Sequence, residues 1–288
     1  MIGILAALGA AFSWTCACFL WREQTKYLSA RQLNLTKNVV ALLIFSPALL
    51  TFNLQSNLRE FCILLLSGAI GIAIGDSLYI IALRKLGTRR TVTTESLSPI
   101  LANTLGSILI SETLPLKTWI GTLIVSASLV SSARQKTTSV NSEISGETSD
   151  NGFIYAFSSV LCAVLAAVLS RTVLVSSTLS PFQTTEIRLL GAIVILLPIV
   201  RGNLISLISK VPVSKRLKLL YGAILGTNIG ILLQQTVFQV LPIGVGWTLL
   251  STSPVISLFF AKAEGEKISW INIAIAATTS LGAAVAVT

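Results

Sequence analysis

The sequence predicts an all-α membrane protein: ten transmembrane helices arranged as two inverted five-helix repeats. Composition carries the first part, because 53% of the 288 residues are apolar and only 11% are charged, with a mean hydropathy of +0.83, whereas soluble domains carry about 25% charged residues. The apolar residues also fall into ten runs near the roughly 20 residues that a bilayer-spanning helix needs. The third observation is an echo. Residues 71–114, GIAIGDSLYIIALRKLGTRRTVTTESLSPILANTLGSILISETL, return at 222–266 as GAILGTNIGILLQQTVFQVLPIGVGWTLLSTSPVISLFFAKAEGE.

Taken in order, the spans lie near 2–20, 32–51, 60–83, 92–111, 115–132, 152–171, 181–200, 218–240, 243–261 and 269–287. The first has no positive leading region and no small-residue cleavage site, so it reads as a retained span and not as a signal peptide. Connections are short except at 133–151, where RQKTTSVNSEISGETSDN follows Ala133. That stretch is too polar to bury a core and reads as a flexible linker between halves at 1–132 and 152–288. The run 210–220, KVPVSKRLKLL, sets bases beside apolar residues and is expected to lie along the lipid surface before the eighth span.

The halves align with small gaps. Arg22 matches Arg171, Lys37 matches Arg188, Pro47 matches Pro198, Gly71 and Gly75 match Gly222 and Gly226, Ser98-Pro99 matches Ser253-Pro254, and Glu112 matches Glu266. An odd number of spans per half makes the second half enter the membrane upside down, the arrangement that in secondary transporters places a substrate path between the repeats. Of the 21 bases, 16 flank the connections 1-2, 3-4, 5-6, 7-8 and 9-10, and only Arg59, Lys117 and Arg171 flank the other side. By the positive-inside rule both termini are outside.

Several classes are excluded. No histidine is present, which removes Ser-His-Asp and Cys-His catalysis, histidine metal sites and histidine proton relays. Cys16, Cys18, Cys62 and Cys162 lie inside apolar runs and read as small hydrophobes. The net charge of +10 is a topology signal and not a nucleic-acid footprint, because the bases sit in short loops. No metal or cofactor is expected, and no nucleotide-binding loop is present.

Charges at lipid depth cost roughly 2.5–3.5 kcal/mol each and face a cavity or a partner. At about 1.5 Å per residue, Lys37 lies roughly 8 Å, Asp76 roughly 10 Å and Glu95 roughly 5 Å from one face, close enough to meet. Two readings stand side by side: a charged cluster at the mouth of a path, exchanging protons and attracting an anion, or a static ion pair. Glu95 also suits a helix start favoured by the dipole. Arg188, the mate of Lys37, fits the handing on of an anionic group, or pairing with Glu186 or a carbonyl. Asn228, Gln234, Gln235 and Gln239 could bind a polar solute or join helices. Trp14 and Trp247 are placed to stack on a substrate, whereas Trp21, Trp119 and Trp270 read as interface anchors. Pro99 and Pro254, inside the fourth and ninth spans, are expected to open kinks that act as hinges or cavity walls.

Gly75-Asp76, the approach from Ala82 to Gly87, Ser98-Pro99-Ile100 and Glu112, with Ser253-Pro254-Val255 and Gly265-Glu266 in the second half, together resemble the drug/metabolite transporter superfamily in its EamA-type ten-span branch. The resemblance covers both halves. It implies inverted repeats around a central cavity open alternately to each side, and export or exchange of a small metabolite such as an amino acid. Many such proteins have cytoplasmic termini, which opposes the orientation taken from the charges. The expected setting is the plasma (inner) membrane, the expected partners a small solute and lipid, with homodimerisation left open. An enzyme is not expected, since carboxylates scattered by repeat symmetry make no catalytic constellation. A scaffold or sensor remains the rival from another class.

Overall fold

The computed structural model describes residues 1–87, 90–91, 94–133, 150–200, 204–253, 255–256 and 270–287. The elements used below are α1 (Ile2–Gln24), α2 (Ala30–Phe45), α3 (Leu58–Leu86), α4 (Ser98–Leu109), α5 (Leu116–Ala133), α6 (Asp150–Ser176), α7 (Pro181–Ile199), α8 (Leu204–Ser209), α9 (Val213–Val240), α10 (Ile243–Leu250) and α11 (Trp270–Val287). No strand occurs among the described residues. Six helices, α1, α2 with its continuation to Thr51, α3, α6, α7 and α9, are long and apolar enough to cross a membrane. Ser98–Leu109 and Ile273–Val287 are shorter apolar helices.

Side-chain size sorts α1 in the sense a lipid solvent favours. Ala6, Ala7, Ala10, Ala11 and Ala17 are buried, while Ile2, Leu5, Leu8 and Phe12 are exposed. Small residues let helices approach, and large apolar ones need no burial when the solvent is itself apolar. Both α2 and α7 start on the same device. Ser29 Oγ accepts from Gln32 N while Gln32 Oε1 accepts from Ser29 N, and Ser180 and Gln183 repeat the exchange. Each capping box satisfies two backbone donors that a helix start otherwise leaves open. Gly87 ends α3 at φ +81°, a left-handed conformation that costs glycine little.

The interiors of α3 and α9 depart from α geometry. Gly68–Gly75 and Ala223–Gly230 are π-helical, eight residues each. A π turn widens the helix and frees carbonyls, and polar side chains collect them: Asn34 Nδ2 donates to Ile72 O (2.7 Å) and Ala73 O (3.2 Å), and Ser13 Oγ donates to Leu225 O (2.6 Å). The packing is reciprocal. The π segment of α3 lies on α6 and α7, that of α9 lies on α1 and α2, α4 packs on α10 and α5 on α11. Two glycines let backbone seat directly on backbone, since a Cβ at Gly68 would overlap the Arg188 carbonyl and one at Gly191 the Leu65 carbonyl.

Cross-links define two faces. Lys215 and Lys218 Nζ reach Glu23 at 2.6 and 2.7 Å, so the end of α1 and the start of α9 share a basic face. Lys85 over the Tyr155 ring, 6.0 Å from its centroid, brings the end of α3 and the start of α6 there too. On the opposite face Gln183 Nε2 donates to Thr51 Oγ1 (3.1 Å), and Glu112 meets both Arg171 and the start of α10.

Two expectations are corrected. The stretch from Val213 onward is not a separate surface helix: Pro212 caps α9, which then runs unbroken to Val240. Trp21 is not an interface anchor, because it is 1% exposed and packs edge-on against Trp14 at 5.2 Å.

Candidate functional site

A cavity of about 810 Å3, counting its opening to the outside, lies among α1, α3, α4, α6, α7, α9 and α10. The π segment of α3 supplies Gly71, Ile72 and Gly75, and the two glycines let α6 approach, since a Cβ on them would meet Ala166 and Cys162. The next turns supply Asp76 and Tyr79, α1 supplies Trp14, the turn before α4 supplies Glu95, and Ser98 opens α4 itself. Arg188 enters from α7, Gln234 from α9 and Trp247 from α10. Six of the candidates singled out from the sequence, Trp14, Asp76, Glu95, Arg188, Gln234 and Trp247, thus share one cavity.

Lys37 does not line it. Its side chain is fully buried, with Nζ 2.6 Å from Asp76 Oδ2, 3.4 Å from Asn38 Oδ1 and 4.9 Å from the centroid of the Trp21 ring. Asn38 Nδ2 donates to Asn34 Oδ1 (3.0 Å), and Asn34 also donates to Ser77 Oγ (2.9 Å). One network therefore neutralises Asp76 and ties α2 to the π segment of α3. Asp76 keeps 16% of its side chain exposed, toward the cavity it lines.

Asn228 and Gln235 are buried and bonded away from the cavity: Asn228 Nδ2 donates to Ala41 O (3.0 Å), and Gln235 Oε1 accepts from Ser170 Oγ. Both join helices here. Glu186 is fully buried and neither carboxylate oxygen has a protein partner, so Arg188 is not its ion-pair mate. Pro99 stands in the first turn of α4, following a 3-10 turn at Glu95–Leu97. A proline there removes no helical hydrogen bond, and the expected mid-span kink is replaced by a junction between two helix types. Pro254 lies outside the described residues, as do Gly265 and Glu266.

Toward the opposite face the cavity is floored by α4 on α10. A Cβ at Gly106 would sit 2.6 Å from Ile243 Cγ2, and Asn103 Nδ2 donates to Thr122 Oγ1 (2.9 Å), itself 3.0 Å from Thr248 Oγ1. Beyond them Glu112 joins three elements, since Oε1 accepts from Arg171 Nε and Oε2 accepts from Ile243 N at 2.9 Å. Arg171 Nη1 continues to Phe238 O.

Sequence reasoning overlooked Tyr79 and Asn34. Each sits three residues from a charge it had marked, Tyr79 after Asp76 and Asn34 before Lys37, one helical turn on the same face. The Gly-rich GAIGIAIG at 68–75 was legible as close packing but not as π geometry. The Glu112–Arg171 contact was visible only as two separately repeated residues.

No group of three or more His, Cys, Asp or Glu side chains among the described residues could hold a metal ion. No curated protein matches the chain significantly in sequence. A solved crystal structure of a protein superposes with a TM-score of 0.72 over 99% of this chain and 96% of that one, at 18% identity, which is likeness of fold. Residues 1–133 and 150–288 match the model of the EamA-like transporter family. With the apolar helices, that match makes this an integral, multi-pass membrane protein. The chain belongs to the EamA-like transporter family.

Proposed function

We propose that the protein is a secondary transporter, an exporter or exchanger of a small polar or amphipathic metabolite such as an amino acid. The solute moves by alternating access between two inverted five-helix repeats, residues 1–132 and 152–288, and the polar segment 133–151 links them. One observation carries this reading: the cavity walls come from both α1–α4 and α6–α10, with Asp76, Glu95 and Arg188 set among apolar helices. Charges at such depth are retained where they serve a path. The reciprocal seating of the two π segments and the α4–α10 and α5–α11 pairs supports a two-fold relation between halves. In this state the opposite face is closed by α4, α10 and Glu112. No nucleotide-binding loop is present in the sequence, so a gradient or a counter-solute drives the cycle.

Flux in proteoliposomes against a metabolite panel, with and without a pH gradient, tests the reading. Saturable uptake or counterflow by wild type, reduced in Asp76→Asn and Arg188→Ala, is the expected outcome. A reconstituted, folded protein that moves no member of a broad panel in either format overturns it and favours a scaffold. Flux that ignores the pH gradient assigns the driving force to exchange.

A further inference from the structure

We propose that Arg188 is an anion subsite of the cavity, and that the transported solute presents an oxyanion of carboxylate size to it. The proposal rests on the transport reading for the word transported, but not for the binding. Arg188 is 4% exposed, lines the cavity, and its Nε and Nη1 have no protein hydrogen-bond partner. A guanidinium does not shed its proton in a protein; Asp76 shares the cavity but accepts its hydrogen bond from Lys37, so the buried donors of Arg188 are left unmet, which is costly. Its planar fork matches an oxyanion in bidentate geometry.

The other bases and acids nearby are accounted for differently. Lys37, the sequence mate of Arg188, is spent on Asp76 Oδ2 at 2.6 Å and lies off the cavity. The two bases are therefore not equivalent, and an anion is not handed from one to the other in this state. Glu186, two residues before Arg188 on the same helix, leaves both oxygens unpartnered and so does not cancel it.

Two further lining residues point the same way. Ser98 Oγ and Trp247 Nε1 are buried, line the cavity and have no protein partner. An indole N–H only donates and a hydroxyl can donate, so three walls, α4, α7 and α10, hold donors awaiting an acceptor. Glu95 lines the cavity from the turn before α4.

The test is thermal stabilisation and titration calorimetry of purified protein in lipid nanodiscs with matched probes on one skeleton: phenylacetate, phenylacetamide and phenylalanine, with acetate and inorganic phosphate at constant ionic strength. At least one oxyanion probe is expected to raise the wild-type melting temperature where phenylacetamide does not. Arg188→Gln is expected to weaken its binding by about ten-fold or more, and Arg188→Lys to restore part of it. Variant melting temperatures without probe report folding, and if Arg188→Gln does not fold, the comparison is made on Arg188→Lys, which retains charge but loses the fork and is expected to bind several-fold more weakly than wild type. The proposal is overturned if no oxyanion stabilises wild type, if the amide binds as well as the acid, or if substitution leaves acid binding unchanged. Flux of a neutral solute without oxyanion binding would remove the subsite and keep the transporter. Oxyanion binding without flux would do the reverse.

Discussion

Removing the Lys37 ammonium leaves the Asp76 carboxylate without the cation that pairs with it at 2.6 Å. Breaking a buried pair from one side costs about 3–5 kcal/mol, whereas replacing both partners is often nearly neutral. Lys37→Ala is therefore expected to lower the detergent melting temperature sharply, and Lys37→Met with Asp76→Leu to recover most of the loss. Equal losses in single and double variants would show that the pair does not govern stability. At this scale much was legible in the sequence. Charges in apolar runs marked Lys37, Asp76, Glu95 and Arg188 because lipid leaves so few reasons for them. The Lys37–Asp76 pair was one of the two readings their depths allowed, and the structure has it at 2.6 Å; what spacing did not encode is how α2 meets the π segment of α3, which takes Lys37 off the cavity. The same limit explains Asn228 and Gln235, whose amides are used between helices.

Helices α3 and α9 owe their shape to π segments and to neighbours seated against bare backbone. Gly68→Ala would drive a methyl group into the Arg188 carbonyl; overpacking of this kind costs about 1–3 kcal/mol or more. The expected outcome is reduced folded yield and a displaced α7, with Arg188-dependent binding lost before the fold is. Normal yield and binding would mean that the helices separate freely. Glu112 acts at the same scale, since its two oxygens hold α6 and α10 to the end of α4. In a background without the four native cysteines, Ala163→Cys on the cavity wall reports access. Adding Glu112→Gln is expected to raise labelling from the opposite face several-fold and to leave labelling from the basic face unchanged. An unchanged rate on both faces would strip Glu112 of a closing role. The capping boxes Ser29-Gln32 and Ser180-Gln183 stand in the sequence but were not read, and the span drawn from 32 begins two residues after the observed start of α2. The start of α9 was misjudged because its charged first turns look like a surface helix, although continuous backbone hydrogen bonding from Pro212 onward carries them into the span.

For the whole molecule, apolar content and run length gave a multi-span membrane protein, and the resemblance carried by Gly75-Asp76, Ser98-Pro99-Ile100 and Glu112, with their second-half counterparts, gave the family. The packing of the α3 π segment on α6 and α7, and of the α9 π segment on α1 and α2, is what the proposed two-fold relation between the halves would produce. Orientation is a separate matter: by the positive-inside rule the 16 bases counted on one side argue for both termini outside, and a tag on either terminus of intact cells is then expected to be reachable from outside. An inaccessible tag would reverse the assignment of the basic face without altering the cavity. The central claim is that transport requires the closed opposite face to open. Thr122 on α5 and Thr248 on α10 lie beside that closure, with hydroxyl oxygens 3.0 Å apart and Thr122 also accepting from Asn103 of α4, so a reversible disulfide in Thr122→Cys/Thr248→Cys would pin α10 to α5 next to α4. In the cysteine-free background, the oxidised variant in proteoliposomes is predicted to lose flux and to regain it on reduction. Undiminished flux through protein whose disulfide has been verified would contradict the account.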